Sequence, residues 1–243
     1  MKIKVFAISA LVVILGVIGI LAWRPLAVIN FEKTDYENMD LDGFDKLMVI
    51  AHPDDDVLWG GSELIHEDYL VVCITCGSDY RRVREFETVM ERTHDKYVML
   101  GYPDKTKGEK DNWDTVRDDI KSDIEKIYAL KDWEKIITHN PEGEYGHIHH
   151  KMTDKIVTDT VNHENLFYFG KYYSKRELEE NEEMELPLLD EDTLKEKEEI
   201  LNLYVTQDYT IHKTFGHMIK SENVVSYEEW NKLYEKEEQE DKK

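Results

Sequence analysis

The sequence predicts an α/β protein built on a doubly wound, mostly parallel sheet with helices on both faces. Three observations predict it. Short apolar runs rich in β-branched residues alternate along the chain with stretches whose apolar residues recur every three or four positions, the pattern of strands joined by crossover helices. Two of the strand-like runs pass directly into loops dense in His and acidic residues, as expected of side chains at the carboxyl edge of such a sheet. The polar body follows one uncharged apolar segment at the amino terminus, long enough for a single transmembrane helix.

That segment comes first. Met1–Lys4 carries two lysines, and Val5–Trp23 has Ser9 as its only strongly polar side chain. A signal peptide is the rival, but its apolar region is usually about 7–15 residues long and ends in a small-x-small site. Ile20-Leu21-Ala22 is a poor site, so residues 1–29 read as an uncleaved membrane anchor. The early lysines favour a cytoplasmic amino terminus and a domain outside the cytoplasm. Residues 30–44 are polar and acidic and read as a linker, residues 45–233 as the domain, and residues 234–243 as a charged tail.

Within the domain, Lys46–Ala51 is the first strand, and Val57–Ile65 a helix after it. Tyr69–Thr75 is the second strand. Val83, Phe86, Met90, Thr93, Tyr97 and Leu100 share a helical period, which predicts one long helix ended by Gly101-Tyr102-Pro103-Asp104. Lys105–Asp111 reads as a polar loop, and Trp113, Val116, Ile120, Ile124 and Ile127 predict a helix over 112–130. Lys135–Thr138 is a third strand, residues 139–146 a loop, and Ile148, Met152, Ile156 and Val157 the apolar face of the next helix. Leu166–Phe169 is another strand. Arg176–Glu185 reads as exposed and acidic, and Thr193–Tyr204 as helical.

Composition narrows the partners. Asp and Glu number 53 against 31 Lys and Arg, a formal charge of −22. That excess argues against nucleic acid and against anionic phospholipid as polyvalent partners. The two cysteines, Cys73 and Cys76, are spaced C-x-x-C, but no second pair follows. On a strand such residues lie about 10 Å apart, too far for a disulfide.

Chemistry concentrates in two places. The first is Ala51-His52-Pro53-Asp54-Asp55-Asp56, where a strand turns into a helix. Helix capping is the ordinary use of Asp there, but three carboxylates and an imidazole on one turn repel one another unless a cation sits among them. The second is Gly146-His147-Ile148-His149-His150, whose His147 and His150 are spaced to share a helix face. Both clusters follow strands, so both belong at one sheet edge. Two His, one carboxylate and an open position make a catalytic zinc arrangement, with a spare carboxylate to take a proton and a spare His to face an oxyanion. His139, at a strand end, is a candidate to support the ligands. His66, His94, His163, His212 and His217 are assigned no role.

The two motifs resemble those of the LmbE/PIG-L-like zinc-dependent N-acetylglucosaminyl deacetylases. Residues 51–56 are similar to that family's A-H-P-D-D-E, and residues 138–150 to its second motif, ending G-H-x-x-H. Thr75-Cys76-Gly77 sits where the family has T-x-G, and Tyr204-Val205-Thr206-Gln207 resembles its late segment ending Ser-Gln. The resemblance covers about residues 46–207 and implies a Rossmann-like α/β fold. It implies His52, Asp55 and His150 as ligands to Zn2+ or another divalent ion, Asp54 as general base, and His147 as the oxyanion partner. Asp56, His139, Tyr145 and Asp104 are candidates for supporting or substrate-side roles. Three departures stand out: Asp56 for the usual Glu, Cys76 where some members have a substrate-binding Arg, and His149 for the Asp often found between the motif histidines. The expected function is removal of the acetyl group from an N-acetylated amino sugar or glycoconjugate. A catalytically silent sugar-binding protein on the same fold is the alternative. A dinucleotide binder is disfavoured because no G-x-G-x-x-G follows the first strand.

Overall fold

The computed structural model describes residues 34–181 and 184–240. The segment read as a membrane anchor lies outside the described residues. Among the described residues, no helix is long and apolar enough to cross a membrane.

The domain is an α/β fold on a six-stranded sheet. Its strands are β1 (Lys46–Ile50), β2 (Tyr69–Thr75), β3 (Lys96–Tyr102), β6 (Lys135–Thr138), β7 (Leu166–Phe169) and β8 (Val224–Ser226), in the order β3-β2-β1-β6-β7-β8. All neighbours pair in parallel except β7 and β8, which are antiparallel. The remaining strands, β4 (Lys105–Thr106) and β5 (Glu109–Lys110), form a separate antiparallel hairpin.

Alternating side chains of β1 build two cores, as the pleat requires. Met48 and Ile50 pack on one face with Val71 and Cys73, under α1 (Asp55–His66), α2 (Tyr80–Thr93) and α6 (Glu191–Leu201). Leu47 and Val49 pack on the other with Leu70 and Val72, under α3 (Arg117–Tyr128), α4 (Ile148–Thr158) and α7 (Tyr227–Glu240). Helices therefore cover both faces. The short α5 (Lys175–Glu180) carries a Ser174–Glu177 capping box and no buried residue.

From β1 the chain winds outward through β2 and β3, then returns to β6 and winds the other way. The loops after β1 and β6 thus diverge at the switch point, where open α/β sheets place their ligands.

Several elements differ from the sequence reading. The long helix expected through Leu100 stops at Thr93, where His94 takes a left-handed φ of 67° and its N–H caps Met90 O. Asp95 then accepts the Tyr69 N–H at 2.7 Å and starts β3. β3 faces a core on each side, Tyr97 towards one and Leu100 towards the other, so its nearly continuous apolar run matches a helical period as readily as a strand one. The expected loop 105–111 contains the β4–β5 hairpin, whose Lys107 and Gly108 have φ of 56° and 86°, suited to a type I′ turn. Ile148, assigned to an apolar face, is 40% exposed. Residues 34–44 lie against the domain: Tyr36 is buried and donates to Asp123 at 3.0 Å, and Thr34 Oγ1 accepts the Met99 N–H.

The helical reading of residues 193–204 places Lys197 beside Leu201, and the structure buries Lys197 completely. Its Nζ donates to Leu58 O at 3.0 Å and pairs with Glu222, which also accepts the Ser62 N–H at 2.7 Å. Gly61 makes room for this side chain; a Cβ there would meet Lys197 Cγ at 3.0 Å. Replacing Lys197 by Met leaves a buried carboxylate without its counter-charge, which costs about 3–5 kcal/mol. Urea denaturation should show that loss, and Lys197→Met with Glu222→Gln should recover part of it. Equal losses in the single and double variants would contradict the network.

Candidate metal centre

Asp54 is the last residue before α1 and has φ of 108°, a left-handed conformation unusual for a non-glycine residue. Its surroundings hold it there. The Asp54 N–H donates to Asp56 Oδ1 at 3.0 Å, and Arg82 Nη2 donates to Asp54 Oδ1 at 2.9 Å. Asp56 is fully buried and accepts the Tyr204 hydroxyl at 2.6 Å. The shorter Asp in place of Glu therefore still makes its helix-start contact. Burial raises the Asp54 carboxyl to about 7, against the pull of Arg82. Burial likewise raises Asp56 to about 7, against the hydrogen bond from Tyr204.

The loop after β6 delivers the second cluster. Gly143, at φ of 66°, turns the chain against α4: a Cβ there would meet His147 O at 2.7 Å. Glu144, wholly inside, is the hub. Its Oε1 accepts the Asn140 N–H at 3.0 Å, and its Oε2 accepts from His139 Nδ1 at 3.0 Å and from His150 Nδ1. Burial opposes ionisation of Glu144, but His139 and His150 outweigh it and hold the carboxyl down at about 2.

These hydrogen bonds assign the ring protons. His139 Nε2 receives the Ala51 N–H at 3.0 Å, so both His139 nitrogens are occupied and this ring supports its neighbours. The nearby Glu144 and Asp55 carboxylates pull its pKa up against burial, to about 10. The Ala51 donor nonetheless requires a lone pair on Nε2, so the neutral Nδ1–H form fits the contacts. His150 uses Nδ1 on Glu144, which leaves Nε2 buried without a hydrogen-bond partner, 3.3 Å from Asp55 Oδ1.

His149 completes a second chain of donors. Its ring stacks on Trp113, with centroids 4.7 Å apart and planes at 4°. Its Nε2 donates to Asp111 O at 2.7 Å, so its Nδ1 accepts from His52 Nε2 at 3.0 Å. Asp104 Oδ1 lies 3.6 Å from both of those nitrogens. His52 Nδ1 is then left facing Asp55 Oδ2 at 3.1 Å. Burial disfavours a charged His52, yet the Asp104 and Asp55 contacts prevail and lift it to about 9. Burial opposes the charge on Asp55 too, and His150 and His139 hold its carboxyl well below the usual range.

His147 caps α4, accepting the His149 N–H on Nδ1 at 3.3 Å, so its proton belongs on Nε2. Burial, then His52 and His150, depress it to about 2, and it stays neutral. Burial and His52 likewise lower His149, to about 4.

Among the described residues, three overlapping groups could hold a metal ion: His52 with His147 and His150, His52 with Asp104 and His149, and Asp55 with His139 and His150. The trio expected from sequence, His52, Asp55 and His150, is spread across these groups. Its fit to a divalent ion rests on the two lone pairs, His52 Nδ1 and His150 Nε2, that meet one carboxylate, each ring held from behind by an oxygen or nitrogen acceptor. Asp54, His52, Asp55, His147, Asp104 and Tyr145 all line one cleft of about 810 Å³. Tyr145 is 43% exposed there and packs on Phe215 with centroids 4.9 Å apart.

Sequence reasoning missed two members. Glu144 could have been flagged as a carboxylate just before the His cluster. Arg82 could have been flagged as a cation in the first helical turn after β2. His149 was placed in the cluster, and as a replacement for Asp, but not behind His52. Cys73 and Cys76 are both free; Cys76, at φ of 65°, lines the cleft.

No family model matches the chain. A protein of Acanthamoeba polyphaga mimivirus, "Uncharacterized protein L374", is 36% identical over 147 residues, which cover 53% of this chain and 62% of that protein. The match thus spans less than two thirds of that relative. Among solved structures, GalB, the 4-carboxy-2-hydroxymuconate hydratase of Pseudomonas putida KT2440, aligns with a TM-score of 0.47 at 13% identity, covering 70% of this chain and 88% of that one.

Proposed function

We propose that this chain is a metal-dependent amide hydrolase that removes the acetyl group from an N-acetylglucosamine-type amino sugar. The observation that carries the reading is the pair of lone pairs, His52 Nδ1 and His150 Nε2, aimed at Asp55 and flanked by Asp54. His52, Asp55 and His150 would hold the ion. We take it as zinc, and such a donor set also suits other divalent ions. When bound, the ion lowers the pKa of water and polarises the amide carbonyl.

The chain's own groups supply the rest. Asp54, held by Arg82 and set to about 7, accepts the proton of the attacking water. His147, neutral with its proton on Nε2, donates a hydrogen bond to the developing oxyanion. Being neutral, it carries no imidazolium proton to give, so Asp54 returns the proton to the leaving amine. Asp104 and His149 orient His52, and Glu144 orients His150 and His139. Tyr145 and Phe215 offer aromatic faces to a sugar ring. The same reading puts the domain outside the cytoplasm on one N-terminal span, supported by the uncharged run Val5–Trp23.

The test is to purify the full chain in detergent and measure metal content with acetate release from N-acetylglucosamine and chitobiose. Stoichiometric metal and release that a chelator abolishes are expected. Stoichiometric metal without release from any N-acetylglucosamine compound favours the silent sugar-binding alternative. A folded chain that takes up no metal refutes the reading.

A further inference from the structure

The β4–β5 hairpin carries an arrangement that the proposed reaction does not use. Lys105 and Lys110 are directly opposed partners in its register, so their side chains leave the same face. Like charges at such opposed positions destabilise a strand pair. Thr106 and Glu109 form the next pair and project to the other face. Among the described residues, neither lysine makes an ion pair or a side-chain hydrogen bond. Both line the same cleft as His52, Asp54 and His147.

The carboxylates of that cleft are engaged chiefly elsewhere, although, after His52, the charge of Lys105 also helps to hold Asp104 down. Asp54 holds Arg82 at 2.9 Å, Asp55 and Asp104 face His52, and Asp79 lies 3.9 Å from Arg81. The uncommitted charge at the mouth is therefore positive, in a chain whose net charge is −22. A cationic patch kept unpaired in an acidic protein raises the local concentration of anions. The type I′ turn at Lys107-Gly108 gives the hairpin a defined twist and fixes the opposition of the two lysines.

We infer that Lys105 and Lys110 form a binding site for an anionic group, a phosphate or carboxylate, on the carrier of the acetylated sugar. The inference rests on the proposed deacetylase reading for the identity of the sugar. One lysine on each side brings two ammonium groups to one anion and relieves their mutual repulsion. Hydrogen bonds to a charged group are the stronger kind. The expected substrate is thus an N-acetylglucosamine unit joined to an acidic moiety, rather than a neutral oligosaccharide.

The test uses the full metal-loaded chain and calorimetry with two probes, N-acetylglucosamine 1-phosphate and methyl N-acetylglucosaminide. The phosphate is expected to bind about tenfold tighter or more, an advantage that shrinks with salt. In Lys105→Gln/Lys110→Gln the ratio should fall to within about twofold, and in Lys121→Gln, on α3 away from the cleft, it should persist. A ratio near one in the wild type, or one that survives the double substitution, overturns the inference. Comparing 4-carboxyphenyl with phenyl N-acetylglucosaminide tells whether a carboxylate gains the same lysine-dependent advantage or phosphate alone does. Acetate release is measured in parallel. Lysine-dependent anion preference without acetate release refutes the reaction and leaves the anion site. Acetate released equally well from charged and neutral sugars refutes the anion site and leaves the reaction.

Discussion

Asp54→Asn is expected to lower kcat by about 10²–10⁴ while leaving the metal in place, the usual scale for removing a positioned acid–base group. The substitution keeps the shape of the side chain and can still accept from Arg82, whose Nη2 lies 2.9 Å from Asp54 Oδ1. What it removes is the proton acceptor. The readouts are acetate release and metal content on the same preparation. Loss of both together would make Asp54 a ligand rather than a base. Retention of kcat would remove it from the reaction. The pH dependence follows from the same group. Burial lifts Asp54 to about 7, so the reactive carboxylate form is lost as pH falls through that value. The acid limb of kcat/KM should lie near or below neutrality. Arg82 is the largest influence holding this carboxyl down, so Arg82→Met should shift that limb to higher pH, by about half a unit or more. An unmoved limb would mean another group governs it.

Glu144→Gln is expected to weaken metal affinity by about 10–100-fold, the usual cost of losing a carboxylate behind a ligating imidazole. Glu144 Oε2 accepts from both His139 and His150, and Oε1 accepts the Asn140 N–H. A neutral amide can supply one acceptor oxygen but not a charge for two imidazoles. His150 then loses the partner that keeps its proton on Nδ1 and its lone pair on Nε2. Competition with a chromophoric chelator measures the affinity directly, without reliance on any substrate. The matching thermal readout is a smaller rise in Tm on adding zinc to the variant than to the wild type, since a ligand that binds only the folded chain stabilises it by mass action. An unchanged affinity would show that Glu144 serves only the loop.

Much of this protein was legible in its sequence, for local reasons. β1 and β6 are buried apolar runs cut off by chain-breaking residues; β6 ended where expected, at Thr138, and β1 one residue short of Ala51, at Ile50. His52, Asp54, Asp55, His147 and His150 come from two short stretches, so their residue types and spacing could be read without the fold. The parallel sheet followed from strands alternating with helical periods. The β3 strand was not legible, because seven residues of Lys96–Tyr102 mimic a helix period when read as a continuation of α2. Nor was β8, whose three residues lie far along the chain and owe their strand state to pairing with β7.

What only the tertiary structure decided is which groups stand behind the site. Trp113 and Asp111 O reach His149 from the segment after the hairpin. Arg82 reaches Asp54 across 28 positions, and Tyr204 reaches Asp56 across 148. Such contacts leave no period or spacing, since they depend on where separate loops meet at one sheet edge. The sequence by itself determined which side chains are candidates for one site, because residue type and local spacing are properties of a few neighbouring residues. The fold decided which nitrogen of each ring keeps its lone pair, because that depends on a donor or acceptor brought from elsewhere in the chain.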